Sequence, residues 1–141
     1  MPTSALAVRP LPMDIGPPHF FQAVLADFMR EGHFARHIRR MRQLYAHRRT
    51  ALVRAIQKEF ASQLQIVGAE AGMYLAVVLT NGACDQELAV RSARQGLWVL
   101  PLSPAYQRDP RRQGLVLGFG STPAEEMPRA VRRLKSVLDE K

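Results

Sequence analysis

A segment of helical periodicity, residues 33–60, constrains the fold of this chain more than any other feature. Apolar side chains recur at steps of three, four and seven residues, which places them on one stripe of an α-helix. The stripe consists of Phe34, Ile38, Met41, Tyr45, Leu52, Ile56 and Phe60. Arginines fall mostly beside or opposite it, at Arg36, Arg39, Arg40, Arg42, Arg48 and Arg49. The pattern predicts one amphipathic helix, about 40 Å long at 1.5 Å per residue, with one packed face and one cationic face.

The chain is basic overall: 20 Lys and Arg against 12 Asp and Glu leave a net charge of +8 in 141 residues. This balance favours contact with polyanions. However, no helix-turn-helix spacing, zinc finger or aromatic RNA-stacking signature accompanies the arginines. We therefore interpret the cationic face as solvated or covered by another domain. A stand-alone basic module that binds nucleic acid remains an alternative.

Composition along the chain predicts three segments. Residues 1–18 are rich in proline and lack periodicity, which is typical of an extended arm or linker. Residues 19–62 form a helical segment, in which a first helix with Phe20 and Phe28 is interrupted at Gly32 before the long helix. Residues 63–141 are expected to form a small α/β (α+β) domain, a short mixed sheet with helices packed on it.

Three stretches of this domain are predicted as strands: residues 72–80, 97–103 and 114–120. Whether a single strand or a strand pair precedes the next helix is left open by the pattern. That helix lies within residues 81–96, where Asp85 can cap or charge the first turn and Gly96 can end the helix.

The C-terminal stretch predicts a last helix. Thr122 suits an N-cap, Pro123 the first helical position, and Glu125 the third position of a capping box. One face of this helix carries the apolar residues Met127, Val131, Leu134 and Leu138.

Individual reactive residues give weak signals. His33 and His37 have the spacing of two ligands on a metalloprotease helix, but Phe34 stands where that motif needs Glu. Cys84 near a helix start has no His close by in sequence. The remaining candidates are Gly118 and Gly120, which we expect to relieve crowding at a strand end, and the carboxylate pairs Glu125–Glu126 and Asp139–Glu140, which we interpret as surface charge. We assign no catalytic, cofactor-binding or metal-binding residue from these patterns.

Cys84 has no partner for an internal disulfide, which fits a reducing compartment. The N-terminal residues lack a signal-peptide pattern, and no apolar run is long enough to span a membrane. The sequence therefore predicts a cytoplasmic protein with no membrane partner.

Four segments, taken in order, resemble the MocR/PdxR-type regulators of the GntR family. They are GHFARHIRRMRQLYAHRRTALV, AGMYLAVVLTNG, RQGLWVLPLSPAY and GLVLGFGSTPAEEMPRAVRRL, and the resemblance extends over about residues 17–141. Such regulators join a DNA-binding winged helix to an aminotransferase-like part that binds pyridoxal 5′-phosphate (PLP). The resemblance implies that this chain contains the long interdomain helix and the C-terminal small domain of a fold-type I aminotransferase-like protein.

Two departures bear on activity. The family's Schiff-base lysine would precede residue 17, and its role does not transfer to Lys58, Lys135 or Lys141. Many aminotransferases also place on the strand of GLVLGFG an arginine that holds the substrate carboxylate, and Val116 stands at the matching position. Arg111 and Arg112, in the loop before the strand, are poor substitutes because a bidentate clamp needs fixed geometry.

The resemblance therefore implies a portion of a PLP-dependent transcriptional regulator that has no cofactor and no catalysis of its own. Its partners would be a large domain or a homodimer partner, and DNA through a winged helix outside this chain. The first alternative is part of a class I/II aminotransferase, and the second is the stand-alone basic module.

Overall fold

The computed structural model describes residues 19–68, 72–108 and 111–140. The predicted arm at residues 1–18 lies outside them. The chain divides into two compact units, one ending at Arg39 and the other beginning at Arg40, and each is described by itself. Among the described residues, no helix combines the length and apolar character needed to cross a bilayer.

The two N-terminal helices are confirmed. Helix α1 extends over His19–Arg30 and helix α2 over His33–Phe60. Gly32 separates them with a φ of +78°, a left-handed conformation that glycine adopts without a steric penalty. Every residue of α1 is exposed, including the large apolar side chains Phe20, Phe21, Val24, Leu25, Phe28 and Met29.

Burial along the part of α2 that belongs to the second unit increases toward its C-terminus. Met41 and Tyr45 are half-buried, whereas Leu52, Ile56 and Phe60 belong to the core. The predicted apolar stripe therefore packs most fully in its last three turns. Two arginines of the predicted cationic face, Arg48 and Arg49, are only partly solvated because they are half-buried.

Four strands form one sheet in the order β1-β2-β4-β3. Their bounds are β1 Leu64–Val67, β2 Tyr74–Leu79, β3 Leu100–Pro101 and β4 Gly114–Gly118. A strand pair thus precedes the next helix, which the pattern had left open. The predicted α/β class is confirmed, but the sheet is antiparallel throughout and not mixed. The reason is that β4 inserts between β2 and β3, so strands that run in the same direction never become neighbours.

The strand predicted at residues 97–103 is mostly unpaired, since only Leu100 and Pro101 join the sheet. Proline has no N–H to donate to a ladder and is tolerated mainly on edge strands, and β3 is the edge next to β4. A short turn of 3₁₀-helix, Ser103–Ala105, follows at once.

One face of the sheet packs on the helices. Leu75 and Val77 from β2 and Leu115 and Leu117 from β4 are buried there in one cluster with residues of α2 and of the last helix, α4 (Met127–Asp139). The predicted apolar face of α4 is confirmed at Met127, Val131 and Leu134, which are buried, and at Leu138, which is partly buried.

Helix α3, Asp85–Arg94, ends as predicted at Gly96, whose φ is +70°. Asp85 lies in the first turn, as one of the two predicted roles requires, but it does not cap the helix: Cys84 occupies the N-cap position and its side chain makes no capping hydrogen bond. The Asp85 N–H instead donates to Gln113 Oε1 at 3.0 Å. Asp85 is fully buried, where its carboxylate accepts hydrogen bonds from Ser103 N–H (2.6 Å), Ser103 Oγ–H (2.7 Å) and Gly114 N–H (3.0 Å). Asp85 therefore joins α3 to the turn after β3 and to the first residue of β4.

The capping box predicted at Thr122 is wrong. A 3₁₀ turn occupies Ala124–Glu126, the α-helix begins only at Met127, and neither has a side-chain cap. Proline fits only the first turn of an α-helix, because farther inside its ring collides with a carbonyl and a hydrogen bond is lost. Pro128 lies in that first turn, so it explains why the α-helix starts near residue 127 and not at Pro123.

Candidate functional site

The position that the resemblance assigns to a substrate-binding arginine lies on the sheet face opposite the core. Because side chains alternate along a strand, the buried Leu115 and Leu117 direct Val116 to this outer face. Val116 is half-buried and pairs with Ala76 of β2 on one side and Leu100 of β3 on the other. The centre of the candidate site is therefore a row of three apolar side chains across three strands.

The border of this row is also apolar. Tyr74 pairs with Gly118, and its ring lies 3.5 Å from the place where a Cβ atom of Gly118 would stand. Tyr74 and Leu100 are 57% and 60% exposed. Such a surface can pack against another apolar surface. It cannot hold a carboxylate as an arginine would, because Val116 provides no hydrogen-bond donor.

The resemblance transfers no Schiff-base role to Lys58 or Lys135, which lie on two different helices. Lys58 is exposed near the end of α2. Lys135 donates to Gln63 Oε1 at 3.2 Å, lies 3.7 Å from a carboxylate oxygen of Asp139, and sits over the ring of Phe60. Lys135 is thus engaged in structural contacts, and Lys141 lies outside the described residues.

The other candidates are dispersed. His33 is exposed, 3.2 Å from a carboxylate oxygen of Glu31, and its ring stacks on Phe28. His37 is exposed. Among the described residues no group of three or more His, Cys, Asp or Glu is placed to hold a metal ion. Cys84 is exposed at the start of α3, and Arg111 and Arg112 are exposed before β4.

The expectation that Gly118 and Gly120 relieve crowding is wrong. A Cβ atom at either position would meet its nearest neighbour at 3.5 Å, an ordinary contact. The crowded glycine is Gly114, where a Cβ atom would lie 2.3 Å from the Val77 carbonyl oxygen and 2.8 Å from Leu102. The tight approach is therefore at the beginning of β4 and not at its end.

Sequence reasoning missed a second feature, a cleft beside the middle of α2. Arg42, Tyr45 and Arg49 line it together with Ala46 and Thr50, and Gly72 and Phe119 form the opposite wall. Steps of three, four and seven residues place the helical members on one face. That spacing is visible in the sequence, but the sequence does not show which arginines of a face that is solvated or covered by another domain line a cleft.

Comparison with solved structures defines the fold. An archaeal alanine:glyoxylate aminotransferase superposes with a TM-score of 0.80 at 23% identity, covering 92% of this chain and 32% of the aminotransferase chain. The chain thus has the fold of part of an aminotransferase. No protein-family profile matches the sequence.

Curated relatives then define the kind of protein. The probable rhizopine catabolism regulatory protein MocR of Rhizobium meliloti is 37% identical over 122 residues, which is 86% of this chain and 25% of that protein. The uncharacterized HTH-type transcriptional regulator YhdI of Bacillus subtilis is 30% identical over 82% of this chain and 24% of its own length. Over most of its length the chain is thus similar to part of MocR and other HTH-type transcriptional regulators, and its fold is that of part of an aminotransferase. It spans about a quarter of the length of these relatives.

Proposed function

We propose that this chain acts as the small domain of a PLP-dependent, cytoplasmic transcriptional regulator. In this proposal the remaining three quarters supply the winged helix that binds DNA and the large domain that holds PLP. The regulator responds to a vitamin B6 compound or an amino compound. The small domain contributes the apolar surface around Val116 and carries no catalysis of its own.

The match to MocR over 86% of the chain, combined with Val116 in the arginine position, is the observation that supports a regulator over an aminotransferase. An aminotransferase must hold the substrate carboxylate through the catalytic cycle, and a planar bidentate donor serves this purpose. A sensor has to recognise its ligand without turning it over. The apolar row of Val116, Ala76 and Leu100 suits recognition better than clamping.

Two exposed apolar surfaces support a place inside a longer protein. Helix α1 exposes a broad apolar stripe that includes Phe20, Phe21 and Phe28, and the apolar face of an amphipathic helix normally packs against another element. In the second unit, Trp98 is 84% exposed beside a cleft of about 320 Å³ whose wall includes Leu97, Val99 and Leu134. Apolar patches of this kind usually mark surfaces that another domain or subunit covers.

The cofactor part of the proposal predicts that the chain forms no specific adduct with PLP. Incubation of the 141-residue chain with PLP, followed by borohydride reduction and peptide mass spectrometry, should give only scattered labelling that rises with PLP concentration. The reason is that neither Lys58 nor Lys135 lies in a cofactor-binding site. One stoichiometric adduct at a single lysine, abolished by Lys58→Arg or Lys135→Arg, would contradict the proposal.

The exposed surface of α1 predicts concentration-dependent self-association of the chain. A double substitution, Phe21→Glu with Phe28→Glu, should raise the dissociation constant about tenfold or more, since each phenylalanine contributes a large apolar area. Sedimentation velocity over a dilution series measures the change. Val90→Glu on α3 is the matched control, because Val90 is also an exposed apolar residue on a helix. A monomeric wild-type chain that binds no apolar dye would refute this expectation.

The second candidate function, part of a class I/II aminotransferase, is favoured by the structural likeness to alanine:glyoxylate aminotransferase. The coding sequence upstream of residue 1 discriminates between the two. A winged helix followed by a lysine-bearing large domain supports the regulator. A large domain without a winged helix supports the aminotransferase.

A further inference from the structure

We propose that the cleft beside α2 is a binding site for a small organic oxyanion, a carboxylate or phosphate attached to an apolar body. The site is built by Arg42, Tyr45 and Arg49 on the helix and by Gly72 and Phe119 on the opposite wall, and we call it the Arg42–Arg49 cleft. Its volume is about 630 Å³, which is enough for a small molecule.

The walls of the cleft are held in place by the fold. Gly72 lies just before β2 and Phe119 just after β4, and the Phe119 N–H donates to the Met73 carbonyl at 3.1 Å. Phe119 is buried in the core cluster. The neighbouring Gly120 carbonyl accepts a hydrogen bond from the Arg48 guanidinium, which joins α2 to the same wall. The cleft is therefore a formed concavity.

Arg49 provides the most direct evidence for a missing partner. Its Nε–H is buried and has no hydrogen-bond partner. The preceding residue, Arg48, does have one, the Gly120 carbonyl. A buried donor without an acceptor destabilises the fold, and a charged donor does so more strongly. Such groups are uncommon in folded proteins and call for an explanation. An oxyanion in the cleft would accept this hydrogen bond.

Electrostatics favours the same class of ligand. No ion pair found among the described residues involves Arg42 or Arg49, so no carboxylate of the described part of the chain compensates either positive charge. Two guanidinium groups on one helix face offer planar donor pairs that match carboxylate and phosphate oxygens. Thr50 Oγ–H already donates to the Ala46 carbonyl at 2.9 Å, so the arginines and Tyr45 would provide the donors.

The aromatic residues define the rest of the ligand. Tyr45 is half-buried and packs partly against the core, and Phe119 lies across the cleft. The exposed part of Tyr45 offers an apolar surface beside the cationic groups, whereas Phe119 is only 1% exposed and presents little of its ring. A benzoate-like molecule should therefore bind more tightly than inorganic phosphate, which lacks an apolar body.

The test uses the 141-residue chain in buffer free of phosphate and sulfate. Sodium benzoate or inorganic phosphate is titrated while the arginine Nε–H signals are followed by ¹H–¹⁵N NMR, with sodium chloride at equal ionic strength as reference. We expect a saturable shift of the Arg49 Nε–H signal, with benzoate saturating at the lower concentration. Arg49→Gln and Arg42→Gln should each weaken binding about tenfold, the factor for one charge-assisted hydrogen bond.

Arg54→Gln is the matched control. Arg54 is an exposed arginine of the same helix outside the cleft, so this variant loses the same charge and should bind as the wild type does. Thermal unfolding gives a second measurement, which can be made even if the chain self-associates. Benzoate should raise the Tm of the wild type and of Arg54→Gln, and it should raise the Tm of Arg49→Gln much less. Unsaturable shifts shared by all arginines, or equal weakening by all three substitutions, would mean non-specific charge screening and would overturn the proposal. Saturable binding of a DNA duplex through these arginines with no response to benzoate or phosphate would also overturn it.

Discussion

Asp85→Ala is expected to lower the free energy of unfolding by about 3 kcal/mol or more, because three donors lose their acceptor at a buried site. The donors are the Ser103 N–H, the Ser103 hydroxyl and the Gly114 N–H. Urea denaturation followed by circular dichroism at one fixed chain concentration measures the loss. Glu87→Ala is the control, since Glu87 is an exposed carboxylate in the same helical turn, and it should change stability by about 0.5 kcal/mol or less.

Asp85→Asn separates the charge from the hydrogen bonds. An asparagine oxygen can replace the Oδ2 atom that accepts both backbone N–H groups, and its amide nitrogen can donate to Ser103 Oγ, which reverses the direction of that hydrogen bond. We therefore expect a smaller loss than for alanine, about 1 kcal/mol. If Asp85→Ala and Asp85→Asn lowered the free energy of unfolding equally, the hydrogen bonds to residue 85 would contribute nothing beyond its negative charge.

The same residue predicts the acid limb of stability. Burial by itself raises the pKa of Asp85, but the hydrogen bonds from Ser103 and Gly114 lower it by more, so the pKa lies below the ordinary value of 3.8. A carboxylate with a depressed pKa stabilises the fold fully above its unfolded-state pKa, and this contribution disappears as pH falls through the folded-state pKa. The stability difference between wild type and Asp85→Asn should thus be constant above about pH 5 and shrink below about pH 4.

Gly114→Ala is expected to cost about 3 kcal/mol, the upper end of the range for overpacked sites. The added Cβ atom would lie 2.3 Å from the Val77 carbonyl oxygen, which is backbone and cannot rotate away. Moving β4 would also disturb the hydrogen bonds of Gly114 with Asp85 (3.0 Å) and Leu102 (2.9 Å). Urea denaturation under the conditions used for Asp85 measures the effect.

Gly118→Ala is the control in the same strand. Its Cβ atom would meet the Tyr74 ring at 3.5 Å, an ordinary contact, and the change should be within about 0.5 kcal/mol of the wild type. If Gly114→Ala were as mild as Gly118→Ala, the close approach between β2 and β4 at Gly114 would be refuted.

The features that could be predicted from sequence are those set by neighbours along the chain. The bounds His33–Phe60 of α2 follow from an apolar period that persists over many turns. The end of α3 follows from Gly96, which can adopt a positive φ. The capping box failed although its residue pattern was present, because the short-range rule did not include the effect of Pro128 on where an α-helix can begin.

The short strands could not be placed with the same certainty. Strand β1 has four residues and β3 only two, so neither contains enough alternation to be distinguished from a loop. Both exist because they pair with strands from elsewhere in the chain, β1 with β2 and β3 with β4. Strand pairing is a long-range interaction, and the local pattern carries little of its signal.

Periodicity and four ordered segments were sufficient to predict the two N-terminal helices, the α/β class and the likeness to MocR-type regulators. The roles of Asp85 and Arg49 follow only from tertiary contacts. The donors to Asp85 come from residues 18 and 29 positions away, and the wall opposite Arg49 comes from Gly72 and Phe119. The reason is that burial and hydrogen-bond partners are set by which distant segments meet, whereas periodicity reports only on the face that a residue occupies within its own helix or strand.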